Sequence, residues 1–193
     1  MTTVRWGIVG TGAIAHAVAG DFQFVPGAEL AGIASRTRAN ALQFAAQHDV
    51  RLAFGSYREM LESPDIDVVY IATPHPQHRV VALAAIANGK AVLVEKAFTT
   101  TLAGAQQVVD AARARGVFAM EAMWTRFLPV IAAACEVVAW GRIGDVVGLQ
   151  GDLYAFRELP LQDGAPPARL HLLIECPRSA LPYLSFPPRA PRP

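Results

Sequence analysis

A glycine-containing turn near the amino terminus constrains the fold of this chain more than any other feature. Residues 4–9 form a short, nearly all-apolar run, which is typical of a strand buried on both faces. The next six residues fit the pattern G-x-G-x-x-A and lead into an alanine-rich stretch that predicts a helix. The first glycine permits a tight turn, the second lets a pyrophosphate approach the backbone, and the small last residue lets the helix pack on the strand. We therefore predict dinucleotide contacts from Gly10, Thr11, Gly12, Ala13 and Ile14. The alternative is a tight turn that binds no ligand.

The order of apolar and polar segments predicts an α/β fold. Helical segments with short connections separate the strand-like ones throughout the first 123 residues, which predicts a parallel sheet with helices on both faces. We therefore expect a Rossmann-type doubly wound parallel sheet, an NAD(P)-binding domain, over residues 1–123. The further strands are expected at residues 29–34, 52–54, 67–72, 91–95 and 117–121, and the helices at 13–24, 37–48, 56–61, from the 73–78 loop to Gly89, and at 102–115.

The pattern changes after residue 123. A helix is expected over residues 128–140, and the alternation over 145–156 predicts a half-buried antiparallel strand. We interpret residues 124–156 as the start of an α+β substrate domain that is incomplete. Nine of the 14 prolines fall between residues 160 and 193, so we expect an irregular Pro- and Arg-rich tail over 157–193, in which 170–175 is the only apolar run.

Composition excludes several classes of function. The hydrophobic fraction of 53% is ample for a packed core, and the net charge of +1 gives no electrostatic case for binding nucleic acid or an anionic membrane. The two cysteines, Cys135 and Cys176, have no partner at metal-site spacing, so neither a metal site nor a disulfide framework is predicted. With no signal peptide or membrane span in view, the expected location is the cytoplasm.

The end of the second strand predicts the form of the cofactor. An NAD enzyme commonly places an acidic residue there to accept a hydrogen bond from the ribose 2′-hydroxyl. This chain has Ser35-Arg36-Thr37-Arg38 instead, and a hydroxyl beside a guanidinium suits a 2′-phosphate. NADP is therefore preferred over NAD, with contacts from Ser35 and Arg36. The alternative is that Ser35 or Thr37 only caps the next helix while both arginines are solvated.

Several separate motifs resemble the Gfo/Idh/MocA oxidoreductase family. They are the glycine turn, the Thr73-Pro74-x-x-x-His78 loop and a buried strand that ends in Glu95-Lys96. The segments at residues 75–78 and 120–127 are most similar to the dimeric dihydrodiol dehydrogenases and NADP-dependent D-xylose dehydrogenases of that family. The resemblance extends over roughly residues 4–157.

The resemblance implies a catalytic role for Lys96, which would contact the substrate hydroxyl and the nicotinamide ribose. Positive charge there would lower the pKa of a substrate alcohol and stabilise an alkoxide. Glu95 belongs to the same motif and is expected near the cofactor. The family's proline is replaced by Ala97, which loosens the turn that aims the lysine. The alternative is a surface lysine paired with Glu95.

Two further groups of residues are assigned by the resemblance. Thr73, Pro74 and His75 would line the nicotinamide side of the site, and His78 would either bind a ribose hydroxyl or cap the adjoining helix. In the second group, Arg126 would reach the cofactor, and Trp124 and Phe127 would contact substrate or form interdomain core.

One family feature is missing from the sequence. No Asp-containing, glycine-rich helix start with a downstream Tyr or His follows residue 156, so the second acid/base is not identified. We expect a truncated or frameshifted family member after about residue 157. The expected function is NAD(P)-dependent hydride transfer to or from a polyol, aldose or diol, with homo-oligomers among full-length relatives. The alternative is a nucleotide-binding module without catalysis.

Overall fold

The computed structural model describes residues 3–155 and 170–177, with side chains over 3–147. Contacts divide the chain into two compact units, Met1–Met123 and Trp124–Pro193.

The first unit is a parallel sheet of six strands with helices between them. The strand order is β3-β2-β1-β4-β5-β6, and every neighbouring pair is parallel, which confirms the predicted doubly wound α/β fold. The elements are β1 (Val4–Val9), α1 (Ala13–Asp21), β2 (Ala28–Ala34), α2 (Arg38–His48), β3 (Leu52–Phe54), α3 (Tyr57–Glu62), β4 (Val68–Ile71), α4 (His75–Ala87), β5 (Ala91–Val94), α5 (Leu102–Arg115) and β6 (Ala119–Glu121).

The centre of this sheet is buried on both faces, which is why β4, β5 and the second halves of β1 and β2 are apolar. Successive side chains of a strand point to opposite faces. Ile8 and Tyr70 therefore pack with Phe44 of α2 in one cluster, while Val9 and Ile71 belong to a second cluster with α3, α4 and α5. The sheet is thus fixed between two helical layers, with the carboxyl ends of β1, β2, β4 and β5 at one edge.

Local hydrogen bonds set where the helices begin and end. Ser56 caps α3, as predicted, because its Oγ accepts from the Glu59 N–H at 3.2 Å. Gly116 ends α5 in the left-handed region, with φ +68. The first helix is shorter than expected. It ends at Asp21, and a 3-10 turn, Phe22–Phe24, occupies the rest of the expected helix.

The second unit contains a 3-10 helix (Trp124–Phe127), α6 (Pro129–Ala139) and an antiparallel pair of strands. These strands are β7 (Gly148–Ala155) and β8 (Leu170–Pro177). The structure differs from the expectation of an irregular tail at 170–177, because the apolar run there supplies a strand that pairs along the whole of β7. Among the described residues, no helix is both long enough and apolar enough to span a bilayer.

An ionic cluster joins three strands at the edge of the sheet where those strands begin. Arg5 of β1 donates from Nη2 and Nε to the Asp67 carboxylate at 2.7 and 3.0 Å, and the Arg5 N–H donates to it at 2.9 Å. The hydrogen bond from Arg5 holds the pKa of Asp67 below its usual value. Lys90, before β5, donates to the carbonyls of Ser63 and Ile66 at 2.7 Å each.

Asp67→Asn is therefore expected to lower Tm by a few degrees at neutral pH and to flatten the acid limb of the stability curve. Because the folded pKa is depressed, the contribution of Asp67 is complete above pH about 4, the unfolded value, and is lost as pH falls through the lower folded pKa. Thermal unfolding between neutral pH and acid measures both effects. Glu62→Gln, which removes only the exposed Arg58–Glu62 pair, is the control and should change little. Parallel Tm curves for Asp67→Asn and the unchanged protein would refute this account.

Candidate functional site

An open cavity of about 620 Å³ lies where the strand order reverses. β1 is followed along the chain by β2 on one side and, later, by β4 on the other, so the loops after β1 and β4 diverge and leave a crevice between them. The cavity is lined by the glycine turn, the end of β2 and the loop after β4, that is, by Gly10, Thr11, Gly12, Ser35, Arg36, Thr37, Asn40, Tyr57, Ala72, Thr73 and Pro74.

The two glycines of the turn meet different requirements. Gly10 has φ +106, and a Cβ there would lie 2.7 Å from the Ala72 carbonyl oxygen, so only glycine fits between β1 and β4. Gly12 has an ordinary extended conformation, and a Cβ there would meet nothing within 4 Å. It precedes α1 without a side-chain cap, so the first amides of α1 stay available to an anion in the adjoining space.

The end of β2 supplies a hydroxyl and a guanidinium to the cavity. Ser35 is buried and Arg36 is exposed, and both line it. Thr37 caps α2, because its Oγ1 accepts from the Asn40 N–H at 3.4 Å. The capping alternative that the sequence left open is therefore realised by Thr37, and Ser35 and Arg36 remain beside the cavity.

Thr73, like Ser35, is a buried polar residue of the cavity wall. Thr73 is 6% exposed, and its Oγ1 has no hydrogen-bond partner among the described residues. A buried hydroxyl without a partner is costly unless a ligand or water completes it. Together with the open space at Gly12, this hydroxyl shows that the wall fits a polar ligand such as a dinucleotide.

The two histidines after Pro74 contact the backbone that follows β5. His75 Nε2 lies 2.9 Å from the Lys96 carbonyl oxygen. His78 is fully buried, with Nδ1 2.9 Å from the Ala97 carbonyl oxygen and Nε2 2.7 Å from the Thr73 carbonyl oxygen. Both ring nitrogens of His78 thus lie within hydrogen-bond distance of backbone carbonyl oxygens.

Glu95 and Lys96 follow β5 at the same edge of the sheet. The Tyr70 hydroxyl donates to Glu95 Oε1 at 2.6 Å, and the Lys96 N–H donates to Glu95 Oε2 at 3.2 Å. Burial, followed by this bond to Glu95, raises the pKa of Tyr70. Within residues 3–147, no ion pair joins the Lys96 ammonium to Glu95, and Lys96 is exposed. Its peptide bond to Ala97 is cis.

The structure brings together part of the predicted site. Seven of the predicted residues line the cavity with Asn40, Tyr57 and Ala72, which the sequence did not single out. The parallel pairing of β2 with β3 brings Tyr57, just after β3, to the same cavity as Ser35, and this pairing is a property of the tertiary structure. Of the other predicted residues, Ala13 and Ile14 open α1; Trp124, Arg126 and Phe127 form the 3-10 helix of the second unit, where Trp124 and Phe127 are exposed.

A doubly wound sheet with this crevice and glycine turn defines a dinucleotide-binding protein of the α/β class. Residues 4–123 match the Gfo/Idh/MocA family, an oxidoreductase family with an NAD-binding Rossmann fold. The chain belongs to this family, and the resemblance drawn from its motifs is confirmed.

Several similar proteins match about three quarters of this chain or more. The trans-1,2-dihydrobenzene-1,2-diol dehydrogenase of Bos taurus is 41% identical over 145 residues, which are 74% of this chain and 43% of that protein. An NAD-binding oxidoreductase from Klebsiella pneumoniae has a TM-score of 0.70 at 31% identity, over 77% of this chain and 41% of its own. A 3-ketoreductase from Actinomadura kijaniata, solved with NADP and TDP-benzene, has a TM-score of 0.73 at 28% identity, over 84% and 50%. The chain thus spans less than half the length of its bovine relative.

Alanine substitutions should show that close packing requires the glycine at position 10, whereas position 12 faces open space. Gly10→Ala is expected to lower the free energy of unfolding by about 2 kcal/mol, because its Cβ meets the Ala72 carbonyl in a left-handed conformation. Gly12→Ala should leave that free energy unchanged or slightly raised, since its Cβ enters open space. Urea unfolding measures both variants. Equal destabilisation of the two would contradict the different roles assigned to them.

Proposed function

We propose that this chain binds NADP(H) through its first unit and belongs to an enzyme that transfers a hydride between nicotinamide and a sugar- or diol-type alcohol or carbonyl. The observation that carries the proposal is the cavity at the strand-order reversal, lined on one side by the glycine turn and on another by Ser35 and Arg36.

Each part of the cavity suits one part of the cofactor. The amides at the start of α1, over residues 10–14, suit the pyrophosphate, because they are uncapped donors at the positive end of a helix dipole. The hydroxyl of Thr73 suits a polar group beyond it, since that hydroxyl is buried without a partner among the described residues. Pro74 completes this wall beside Thr73.

Ser35 and Arg36 favour NADP over NAD. The residues that line the cavity after β2 include no carboxylate to accept from a ribose 2′-hydroxyl, whereas a guanidinium makes paired charge-assisted bonds to phosphate. The Actinomadura ketoreductase was solved with NADP, which agrees with this preference.

Lys96 is the catalytic residue in this proposal. NADP+, when bound, would supply the hydride acceptor. The Lys96 ammonium would stabilise the alkoxide that forms as the substrate hydroxyl passes its proton to the second acid/base, which the sequence does not identify. Tyr70 and the Lys96 amide hold the Glu95 carboxylate, so that this carboxylate supports the lysine backbone beside the cofactor. The roles of Arg126 toward the cofactor and of Trp124 and Phe127 toward the substrate rest on the family motif and stay predictions.

The relatives support the proposed substrate class. The bovine relative is named for a trans-diol. We therefore propose a vicinal diol or a sugar as the substrate of this chain. Activity of the whole enzyme is part of the proposal, because the chain spans 43% of that relative.

Arg36→Ala is expected to weaken NADPH binding about tenfold or more while changing NADH affinity much less, because only the 2′-phosphate loses its charged partner. Titration followed by nicotinamide fluorescence measures both dissociation constants. Arg51→Ala, which removes an exposed arginine outside the cavity lining, is the control. If the unchanged protein bound both cofactors equally and very weakly, the cofactor assignment would fail.

Lys96→Ala is expected to reduce kcat about a hundredfold or more, because the lysine acts mainly on charge that develops in the transition state. NADPH binding is expected to persist but to weaken about tenfold, because the same lysine contacts the nicotinamide ribose in this proposal. Turnover of polyols, aldoses and diols is measured beside the NADPH titration, with Arg51→Ala again as control. Turnover that persists in Lys96→Ala would remove its catalytic role. NADPH binding without turnover by the unchanged chain would identify a nucleotide-binding module instead.

A further inference from the structure

We propose that His75 and His78 are positioning residues, which aim Lys96 by holding its backbone, and that they are not cofactor ligands. We call these two side chains the histidine clamp. The inference rests on the proposed function only in that it takes Lys96 to be the residue whose position matters.

The clamp grips two consecutive carbonyls. His75 reaches the Lys96 oxygen at 2.9 Å, and His78 reaches the Ala97 oxygen at the same distance. The two histidines are three residues apart in the first turn of α4, so both rings project to the same side of the helix. Their ring centroids lie 5.4 Å apart at 87° in an edge-to-face contact, so each ring helps to orient the other.

The chemistry of these contacts requires the histidines to donate. A carbonyl oxygen only accepts hydrogen bonds, so the nitrogen that faces it must carry a proton. His75 satisfies this with a proton on Nε2. His78 faces carbonyls with both nitrogens, and its Nε2 contact to the Thr73 oxygen at 2.7 Å joins the loop after β4 to the loop after β5. A neutral ring forms one of its two bonds, and an imidazolium forms both.

The clamp is part of a continuous set of restraints on residues 95–98. The Tyr70 hydroxyl holds the Glu95 side chain, and the Phe98 N–H donates to Glu121 Oε1 at 2.7 Å. The clamp supplies the restraints at the two residues between Glu95 and Phe98, which are Lys96 and Ala97. Among the described residues of this loop, the Lys96 ammonium is left without a hydrogen bond, although the backbone below it is fixed.

A fixed backbone is useful because ordering the lysine before binding removes an entropic cost that binding would otherwise bear. The family motif has proline where this chain has Ala97, and a proline ring restricts the backbone covalently. Alanine imposes no such restriction. The hydrogen bond from His75 to the Lys96 oxygen and the contact of His78 with the Ala97 oxygen therefore supply the constraint at this position.

The chain permits a direct measurement of the clamp, because its only two lysines, Lys90 and Lys96, each precede an alanine. Protein labelled with carbon-13 at lysine carbonyls and nitrogen-15 at alanine gives two signals in an amide–carbonyl correlation spectrum, one for Lys90–Ala91 and one for Lys96–Ala97. The Lys96 signal reports the bond from His75, and the Lys90 signal is an internal reference.

Two substitutions of His75 separate its hydrogen bond from its ring. His75 is exposed, so neither change disturbs the core. His75→Phe keeps the ring contact with His78 and cannot donate, whereas His75→Gln retains an N–H donor. His48→Gln is the matched control, because it makes the same change in a ring that lies 2.7 Å from His16 in the same unit, away from Lys96.

The Lys96 carbonyl signal is expected to move upfield in His75→Phe and to stay near its original position in His75→Gln and His48→Gln. NADPH affinity should fall about fivefold in His75→Phe, the effect of losing one hydrogen bond, and should be rescued in His75→Gln.

Three results would overturn the inference. A Lys96 signal that does not move in folded His75→Phe would mean that the hydrogen bond is absent. A moved signal with unchanged NADPH affinity would mean that the bond positions nothing. Equal loss of affinity in the Phe and Gln variants would mean that His75 touches the cofactor itself. A chain that binds no NADPH would defeat the proposed function, while the carbonyl shift would still decide whether the clamp exists.

Discussion

The close approach of β1 and β4 at their carboxyl ends is the contact on which the candidate site depends. The Ala72 N–H donates to the Val9 carbonyl at 2.9 Å, and Gly10, the residue that follows β1, lies against the Ala72 carbonyl. A side chain at Gly10 would force these strands apart. Because the strand order reverses between them, the same contact that closes the sheet also opens the crevice beside it.

The two ends of the sheet have different chemistry. Where the strands begin, Arg5 binds the Asp67 carboxylate, and the Lys90 ammonium donates to backbone carbonyls. These contacts hold the starts of neighbouring strands together. Where the strands end, Thr73 keeps a buried hydroxyl that has no partner among the described residues, and Lys96 is exposed. The first edge satisfies its polar groups internally. The second leaves some of them for a ligand.

The fold was predictable because its signals are local. A strand segment buried on both faces must be apolar at every position, so β4, β5 and the second half of β1 stand out in the sequence, and the glycine turn joins β1 to α1. Positions that depend on competition between local conformations were less certain. The first helix ended three residues early in a 3-10 turn, and the apolar run at 170–175 lies in a strand because β7 pairs with it.

The sequence by itself determined the class of site, because each motif consists of residues that are adjacent in the chain. These motifs are the glycine turn, the hydroxyl–guanidinium pair after β2 and the Glu-Lys pair after β5. Only the tertiary structure decided what the histidines and Glu95 contact. The register of β4 against β5 pairs Tyr70 with Leu93, and alternation then puts Glu95 on the same face as Tyr70. His78 meets Ala97, 19 residues away, because α4 begins beside the end of β5. No local pattern encodes such contacts, since they arise from which strands become neighbours and in what register.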